Sequence, residues 1–134
     1  SMPGSLVLIG GGSGMVPLMG MLRHHVRNFV FREVIFLVSA KSVDRVLYRE
    51  ELLQYSREVK GFRFVETITD SPPEDFLGYT RRVDEAMLKE VFGELADKMS
   101  MTYVCGRTGF VEAVASGLLR LGFNSHEIKT ERFG

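Results

Sequence analysis

The chain has 134 residues, of which 45% are hydrophobic and 25% charged, and its formal net charge at pH 7 is zero. This length suits one domain whose core needs no disulfide or metal for stability. A balanced charge without a basic stripe argues against nucleic acid or an anionic membrane as the main partner. The single cysteine excludes an internal disulfide and indicates a reducing cytoplasm. Residues 1–2 look like a remnant of expression cloning, so the domain is taken as 3–134.

Apolar, β-branched runs alternate with helical patterns along the chain, which is typical of βαβ units and a parallel sheet. The strands are predicted at about 5–9, 34–38, 62–67, 101–105 and 126–133, with helices at about 17–28, 44–59, 84–96 and 109–121. A long turn-rich segment at 69–78 separates the third strand from the third helix, and long loops are often functional. We expect an α/β fold with an open, doubly wound, five-stranded parallel sheet. Ligands of such sheets bind beyond the carboxyl ends of the strands.

A glycine-rich segment directly follows the first predicted strand and includes Gly11, Gly12, Ser13 and Gly14. Glycine permits positive φ and close approach of the backbone to a ligand, and Pro17 suits the first turn of a helix whose free N–H groups face an anion. The segment lacks the third glycine of the dinucleotide fingerprint, and no Gly-Lys-Ser/Thr follows, which excludes a Walker loop. We interpret it as a nucleotide-phosphate loop. The alternative is a turn that only joins strand to helix.

Hydroxyl groups and a lysine follow the second predicted strand, at Ser39, Lys41 and Ser42. In nucleotide-binding α/β domains this turn meets the adenosine ribose, where an acidic residue would repel a 2′-phosphate. The turn has no acidic residue, and Arg45 and Tyr48 lie one and two turns further on. This composition favours NADP(H) over NAD(H). The alternative is a solvated helix start with Ser42 as its N-cap.

A lone cysteine, Cys105, ends the fourth predicted strand and is followed by Gly106 and a helix start. A single cysteine inside a domain is usually a small buried hydrophobe. Beside a glycine and a helix N-terminus, it is instead a candidate site residue whose thiolate would be favoured. The three histidines show no metal-ligand spacing, so we interpret them as surface or structural residues and expect no metal site.

Taken in order, these motifs resemble the pyridine-nucleotide-binding domain of the ferredoxin–NADP reductase family of flavoproteins. The matching pieces are Gly-Gly-Gly-Ser-Gly-Met-Val-Pro at 10–17, Ser-Ala-Lys-Ser at 39–42, Leu-Tyr-Arg-Glu-Glu-Leu at 47–52, Cys-Gly-Arg-Thr-Gly-Phe at 105–110 and the terminal Glu-Arg-Phe. The resemblance covers residues 5–134. It implies a two-domain enzyme that passes hydride from NAD(P)H to FAD or FMN. Electrons then go to an acceptor such as ferredoxin, an oxygenase or a haem component.

In this family the flavin lies mainly on an N-terminal β-barrel, which this chain does not contain. We therefore expect an excised or stand-alone nucleotide domain that is not catalytically complete by itself. The alternative is a non-catalytic module that binds a nucleotide or docks a partner. A flavin-binding domain encoded upstream would favour the reductase.

The resemblance also assigns roles to individual residues. The implied cofactor-binding residues are Gly11, Gly12, Ser13, Gly14 and Pro17 at the pyrophosphate, Ser39, Lys41 and Tyr48 at the adenylate, and Cys105, Gly106 and Phe133 near the nicotinamide. The implied catalytic residues are Cys105, near the carbon that donates hydride, and Glu131, which helps to close the redox site. Arg107 stands where family members usually carry proline, and we expect it to contact the cofactor phosphates.

Overall fold

The computed structural model describes residues 4–134, so the expectation about residues 1–2 lies outside the described residues. Five parallel strands form one sheet in the order β3-β2-β1-β4-β5. The strands are β1 (Ser5–Gly11), β2 (Glu33–Ala40), β3 (Phe62–Ile68), β4 (Ser100–Gly106) and β5 (Ile128–Arg132). The helices are α1 (Met15–Asn28), α2 (Arg49–Glu58), α3 (Glu85–Phe92) and α4 (Thr108–Arg120). The doubly wound parallel α/β fold expected from the sequence is confirmed.

The helices cover the two faces of the sheet unequally. On one face, α1 and α2 pack their apolar side chains, such as Leu18 and Leu52, against β1 and β2. On the other face, α3 and α4 form a second apolar cluster. β5 is exposed along most of its length, and Met101 and Tyr103 of β4 are only partly buried on the α1 face. The α1 face of β4 and β5 is therefore incompletely covered.

The largest difference from the sequence expectation lies before α2, where one continuous helix over 44–59 was predicted. The structure has a short 3₁₀ turn, Val43–Arg45, and α2 starts only at Arg49. Val46 is buried in the core, and Tyr48 takes a left-handed backbone conformation with φ 61°. Burial of Val46 draws the chain inward and the left-handed residue redirects it, which breaks the helix. Ser42 precedes the 3₁₀ turn without a side-chain capping hydrogen bond, so the alternative interpretation, a helix start capped by Ser42, is wrong.

The other helices begin or end within a few residues of their predicted bounds. α1 starts two residues before Pro17, directly after a 3₁₀ turn at Gly12–Gly14. α3 is shorter than predicted, because a separate 3₁₀ turn follows it at Gly93–Leu95. Among residues 4–134, no helix has both the length and the apolar character needed to cross a membrane.

Candidate functional site

The predicted site residues come together at the carboxyl edge of the sheet. The strand register places Gly10 of β1 beside Cys105 of β4, and Cys105 beside Glu131 of β5. On the other side of β1, Gly11 is aligned with Ser39 of β2. Gly10, Cys105 and Glu131 thus share one register, and Ser39 lies one position further along β2 than Val38, the partner of Gly10. The ends of four neighbouring strands meet here, so a single extended ligand could contact all of them.

The glycine-rich loop lies between the ends of β1 and β4. Gly12 and Ser13 are exposed, and Gly12 has φ 59°, a conformation that favours glycine. Gly14 is buried against the neighbouring strand, and a Cβ at Gly14 would lie 2.5 Å from the carbonyl oxygen of Cys105. Since α1 begins at the next residue, its first N–H groups lack partners within the helix and lie beside the loop. The shape and donors of this loop fit the pyrophosphate of a dinucleotide.

Cys105 is buried, with only 2% of its surface exposed. Burial is the main reason that the pKa of its thiol is raised to about 11, and the neighbouring Glu131 carboxylate raises that pKa further. The thiol is therefore neutral at pH 7, and the expectation of a favoured thiolate is wrong. Desolvation and a like charge both oppose thiolate formation here, and they outweigh the nearby helix N-terminus.

The end of the chain folds back over the start of α4. The Phe133 N–H donates a hydrogen bond to the carbonyl oxygen of Gly106 at 3.1 Å, and the Thr108 hydroxyl donates one to the carbonyl oxygen of Gly134 at 3.2 Å. Phe133 keeps 37% of its surface exposed. Arg107 is also exposed, at the position just before α4. These contacts place an aromatic ring and a cation near the end of β4.

The turn after β2 presents its own cation. Lys41 is exposed, and its carbonyl oxygen accepts hydrogen bonds from the N–H groups of Asp70 and Ser71 at 3.0 and 3.1 Å. The start of the long loop after β3 is thereby fixed to this turn. Among the described residues, neither Lys41 nor Arg107 forms an ion pair with an acidic side chain. Both cations are free to meet an anionic ligand.

Sequence reasoning missed Arg23, which lies on α1 and reaches across to α2. Its Nε and Nη2 atoms donate to the two carboxylate oxygens of Glu51 at 2.8 and 2.6 Å. Its guanidinium also lies 5.1 Å from the centroid of the Tyr48 ring. No local pattern could have revealed this contact, because the partners are 25 and 28 residues away and on another segment.

An open apolar groove of about 450 Å³ runs beside α1 on the incompletely covered face. Its lining includes Leu6, Pro17, Met21 and Tyr103. Its other lining residues include His25, Val30 and Phe31, at the end of α1 and before β2, so the groove runs along α1 towards the amino edge of the sheet. The end nearest the glycine-rich loop is at Pro17.

The histidines have no shared site. His25 is buried, its Nδ1 accepts a hydrogen bond from the Phe31 N–H at 3.1 Å, and burial lowers its pKa. His24 and His126 are exposed. In the part of the chain from residue 4 onwards, no three His, Cys, Asp or Glu side chains are grouped so that they could hold a metal ion.

Comparison with known proteins shows the family. Residues 8–116 match the oxidoreductase NAD-binding domain. The chain is 33% identical over 132 residues to a flavohemoprotein of Oceanobacillus iheyensis. The aligned region covers 96% of this chain and 31% of that protein. It is 31% identical over 110 residues to the reductase component of propane 2-monooxygenase from Mycolicibacterium smegmatis, which covers 81% of this chain and 31% of that protein.

A solved structure has the same architecture. The cytochrome P450 reductase of Amycolatopsis is similar with a TM-score of 0.79 and 27% identity, over 97% of this chain and 38% of that one. The chain thus spans about a third of the length of the curated relatives it matches. From the fold, the loop and these matches together, the chain belongs to the oxidoreductase NAD-binding domain family of the ferredoxin reductase type.

Proposed function

We propose that this chain is the NAD(P)H-binding part of a flavin-dependent reductase. In the whole protein, hydride would pass from NAD(P)H to FAD or FMN, and electrons would then pass to an acceptor protein. The main support is that the site residues lie at the ends of four neighbouring strands, beside the glycine-rich loop. The matched relatives include a flavohemoprotein and reductase components. This is why a haem protein, an oxygenase or a ferredoxin is our choice of acceptor.

We assign three groups of residues at the sheet edge to three parts of the dinucleotide. The loop of Gly12, Ser13 and Gly14 would hold the pyrophosphate with backbone N–H groups. Ser39, Lys41 and Tyr48 would contact the adenylate, and Cys105 with Gly106 would lie beside the nicotinamide. We also propose that Arg107 contacts a cofactor phosphate.

The protein's own contribution to hydride transfer is position and exclusion of water. When bound, the flavin supplies the hydride acceptor, and the reacting atoms must approach to about 3–3.5 Å. Because the Cys105 thiol is buried and neutral, it would add no charge beside the carbon that donates hydride. Glu131 and Phe133 would close the site from the β5 side.

We propose that a flavin-binding domain in the same protein covers the α1 face of β4 and β5. The apolar groove supports this, because residues of α1 and β4 line it on the incompletely covered face. The relatives are about three times as long as the matched segment, so they have room for such a domain. The single cysteine also leads us to propose a reducing, cytoplasmic location.

A thermal-shift and calorimetric titration with 2′,5′-ADP and 5′-ADP tests the nucleotide site. A ligand at about 100 times its dissociation constant adds roughly 2.7 kcal/mol to the free energy of unfolding. We expect both ligands to stabilise the chain and 2′,5′-ADP to bind more tightly, because Lys41 is an unpaired cation at the ribose turn. Lys41→Met should remove this preference. Lys60→Met, an exposed lysine at the opposite edge of the sheet, should not change it.

The other outcomes of this titration are equally informative. Tighter binding of 5′-ADP would contradict the assignment to NADP(H) and favour NAD(H). Stabilisation by neither ligand would contradict the adenylate site. A second titration, with the full dinucleotide, tests Arg107: an affinity that is unchanged in Arg107→Ala would contradict the phosphate contact of that residue.

A further inference from the structure

Tyr48 has a backbone conformation that a bulky side chain rarely adopts. Its φ and ψ are 61° and 23°, in the left-handed region. Such a conformation persists only where the surrounding structure holds it, and it is most frequent at functional sites.

Contacts on both sides of Tyr48 hold the backbone in place. Val46, two residues earlier, is buried in the core. Arg49, the next residue, donates from Nε and Nη2 to the two carboxylate oxygens of the buried Glu66 at 2.6 and 2.9 Å. These two anchors fix the backbone on either side of Tyr48.

The ring itself is held by Arg23. The Arg23 guanidinium lies 5.1 Å from the ring centroid, within the distance of a cation–π interaction. Both of its hydrogen bonds to Glu51 fix the guanidinium plane, so it forms a rigid support and not a mobile surface charge. Tyr48 nevertheless keeps 38% of its surface exposed. The ring is thus oriented from one side and open to a ligand.

We propose that Arg23 is a positioning residue for the adenine of the bound dinucleotide and that it acts through the ring of Tyr48. The inference rests on the proposed nucleotide site. A tyrosine ring that is fixed before binding loses little freedom when adenine stacks on it, and this favours binding. Arg23 needs no contact with the ligand to have this effect.

If the Arg23–Glu51 ion pair had only a structural role, its loss would change stability and not the affinity for a nucleotide. The Arg23 and Glu51 side chains are 40% and 27% exposed, and pairs of this kind contribute little to stability. The chain offers a matched control in Arg120, which forms an ion pair with Glu85 on the opposite face of the sheet. No aromatic ring is found over Arg120 among the described residues.

The test is a calorimetric titration of the 134-residue chain with 5′-ADP and with 2′,5′-ADP. We expect Arg23→Gln to weaken both ligands by the same factor, about threefold to tenfold, because adenine is common to both. Tyr48→Leu should weaken both by at least as much. The double variant should bind no more weakly than Tyr48→Leu alone, because Arg23 acts through the ring. Arg120→Gln should bind both ligands like the unaltered chain.

Several results would overturn the inference. Unchanged affinity in Arg23→Gln would leave the ion pair a structural link between α1 and α2. Additive losses in the double variant would show that Arg23 acts independently of Tyr48. A loss confined to 2′,5′-ADP would show that Arg23 contacts the 2′-phosphate directly. In these three cases the proposed function stands, whereas failure of the unaltered chain to bind either ligand would overturn both proposals.

Discussion

At the scale of single residues, Cys105 shows how position and chemical state have different origins. Its position at a strand end could be predicted, because a short apolar run before a glycine and a helix start indicates a strand that ends there. Its protonation state could not, because the pKa depends on how much water and which charges surround the sulfur. Burial and Glu131 are both tertiary features, and they raise the thiol pKa to about 11.

The first prediction concerns the pH dependence of this thiol. The chain has one cysteine, so alkylation by iodoacetamide reports on it alone. At pH 8 we expect alkylation of the folded chain to be at least about 100-fold slower than that of the urea-unfolded chain, since the thiolate is the reactive form. The rate should rise as pH approaches 11. Equal rates for the folded and unfolded chains at pH 8 would show that the sulfur is neither buried nor neutral.

The same shift predicts a loss of stability in alkali. The pKa of the Cys105 thiol is higher in the folded chain than in the unfolded chain. The neutral thiol therefore contributes its full share to the free energy of unfolding below the unfolded-state pKa, and this contribution is lost as pH rises through about 11. Urea unfolding should therefore show a steeper decrease for the unaltered chain than for Cys105→Ala between these pKa values.

At the scale of elements, the start of a helix can be predicted from the sequence when nearby residues determine it, and cannot when distant contacts do. Asp84 caps α3 through a local contact, because its carboxylate accepts a hydrogen bond from the Met87 N–H at 2.8 Å. A helix start at Asp84 was accordingly predicted from the sequence. The start of α2 was not, because its break depends on the burial of Val46 and on distant partners of Arg49 and Arg23.

A prediction at this scale is a pH-dependent contribution of the Asp84 cap to stability. The Arg81 guanidinium and the Met87 N–H hold the pKa of Asp84 below its usual value. This contribution is present above the unfolded-state pKa and is lost as pH falls through the folded-state pKa. We expect Asp84→Ala to lower the free energy of unfolding at pH 7, and the difference from the unaltered chain to shrink in acid. Urea unfolding at a series of pH values measures this.

Two variants serve as controls for that experiment. Asp84→Asn keeps a capping oxygen and should retain part of the stability while losing the pH dependence. Glu94 is an exposed carboxylate that has no ion pair or side-chain hydrogen bond among the described residues. Glu94→Ala should therefore leave the free energy of unfolding unchanged at every pH. A pH-independent effect of Asp84→Ala would contradict the electrostatic part of the argument.

At the scale of the whole molecule, the two faces of the sheet differ in how completely the helices cover them. We predict that the 134-residue chain binds nucleotide but does not pass electrons from NADPH to ferricyanide, because the proposed flavin-binding domain must supply the hydride acceptor. NADPH oxidation and visible flavin absorbance measure this. Copurified flavin together with ferricyanide reduction would contradict it.

The groove provides a sharper test when the chain is studied together with the proposed flavin-binding domain. Met21→Glu places a charge in the apolar groove beside α1 and should slow flavin reduction without changing the affinity for 5′-ADP. Leu119→Glu is the matched control, since Leu119 is exposed on α4 at the opposite face of the sheet. Equal effects of the two substitutions would show that the groove is not the interface.

The sequence by itself determined the alternation of strands and helices, the parallel sheet and the place of the glycine-rich loop. These features follow from hydrophobic periodicity and from glycine and proline chemistry, which act over a few residues. The order of the motifs also indicated the family. Only the tertiary structure decided the neutral state of Cys105, the break before α2 and the support of Tyr48 by Arg23. Each of these depends on desolvation or on a contact between distant segments, and neither leaves a pattern in neighbouring residues.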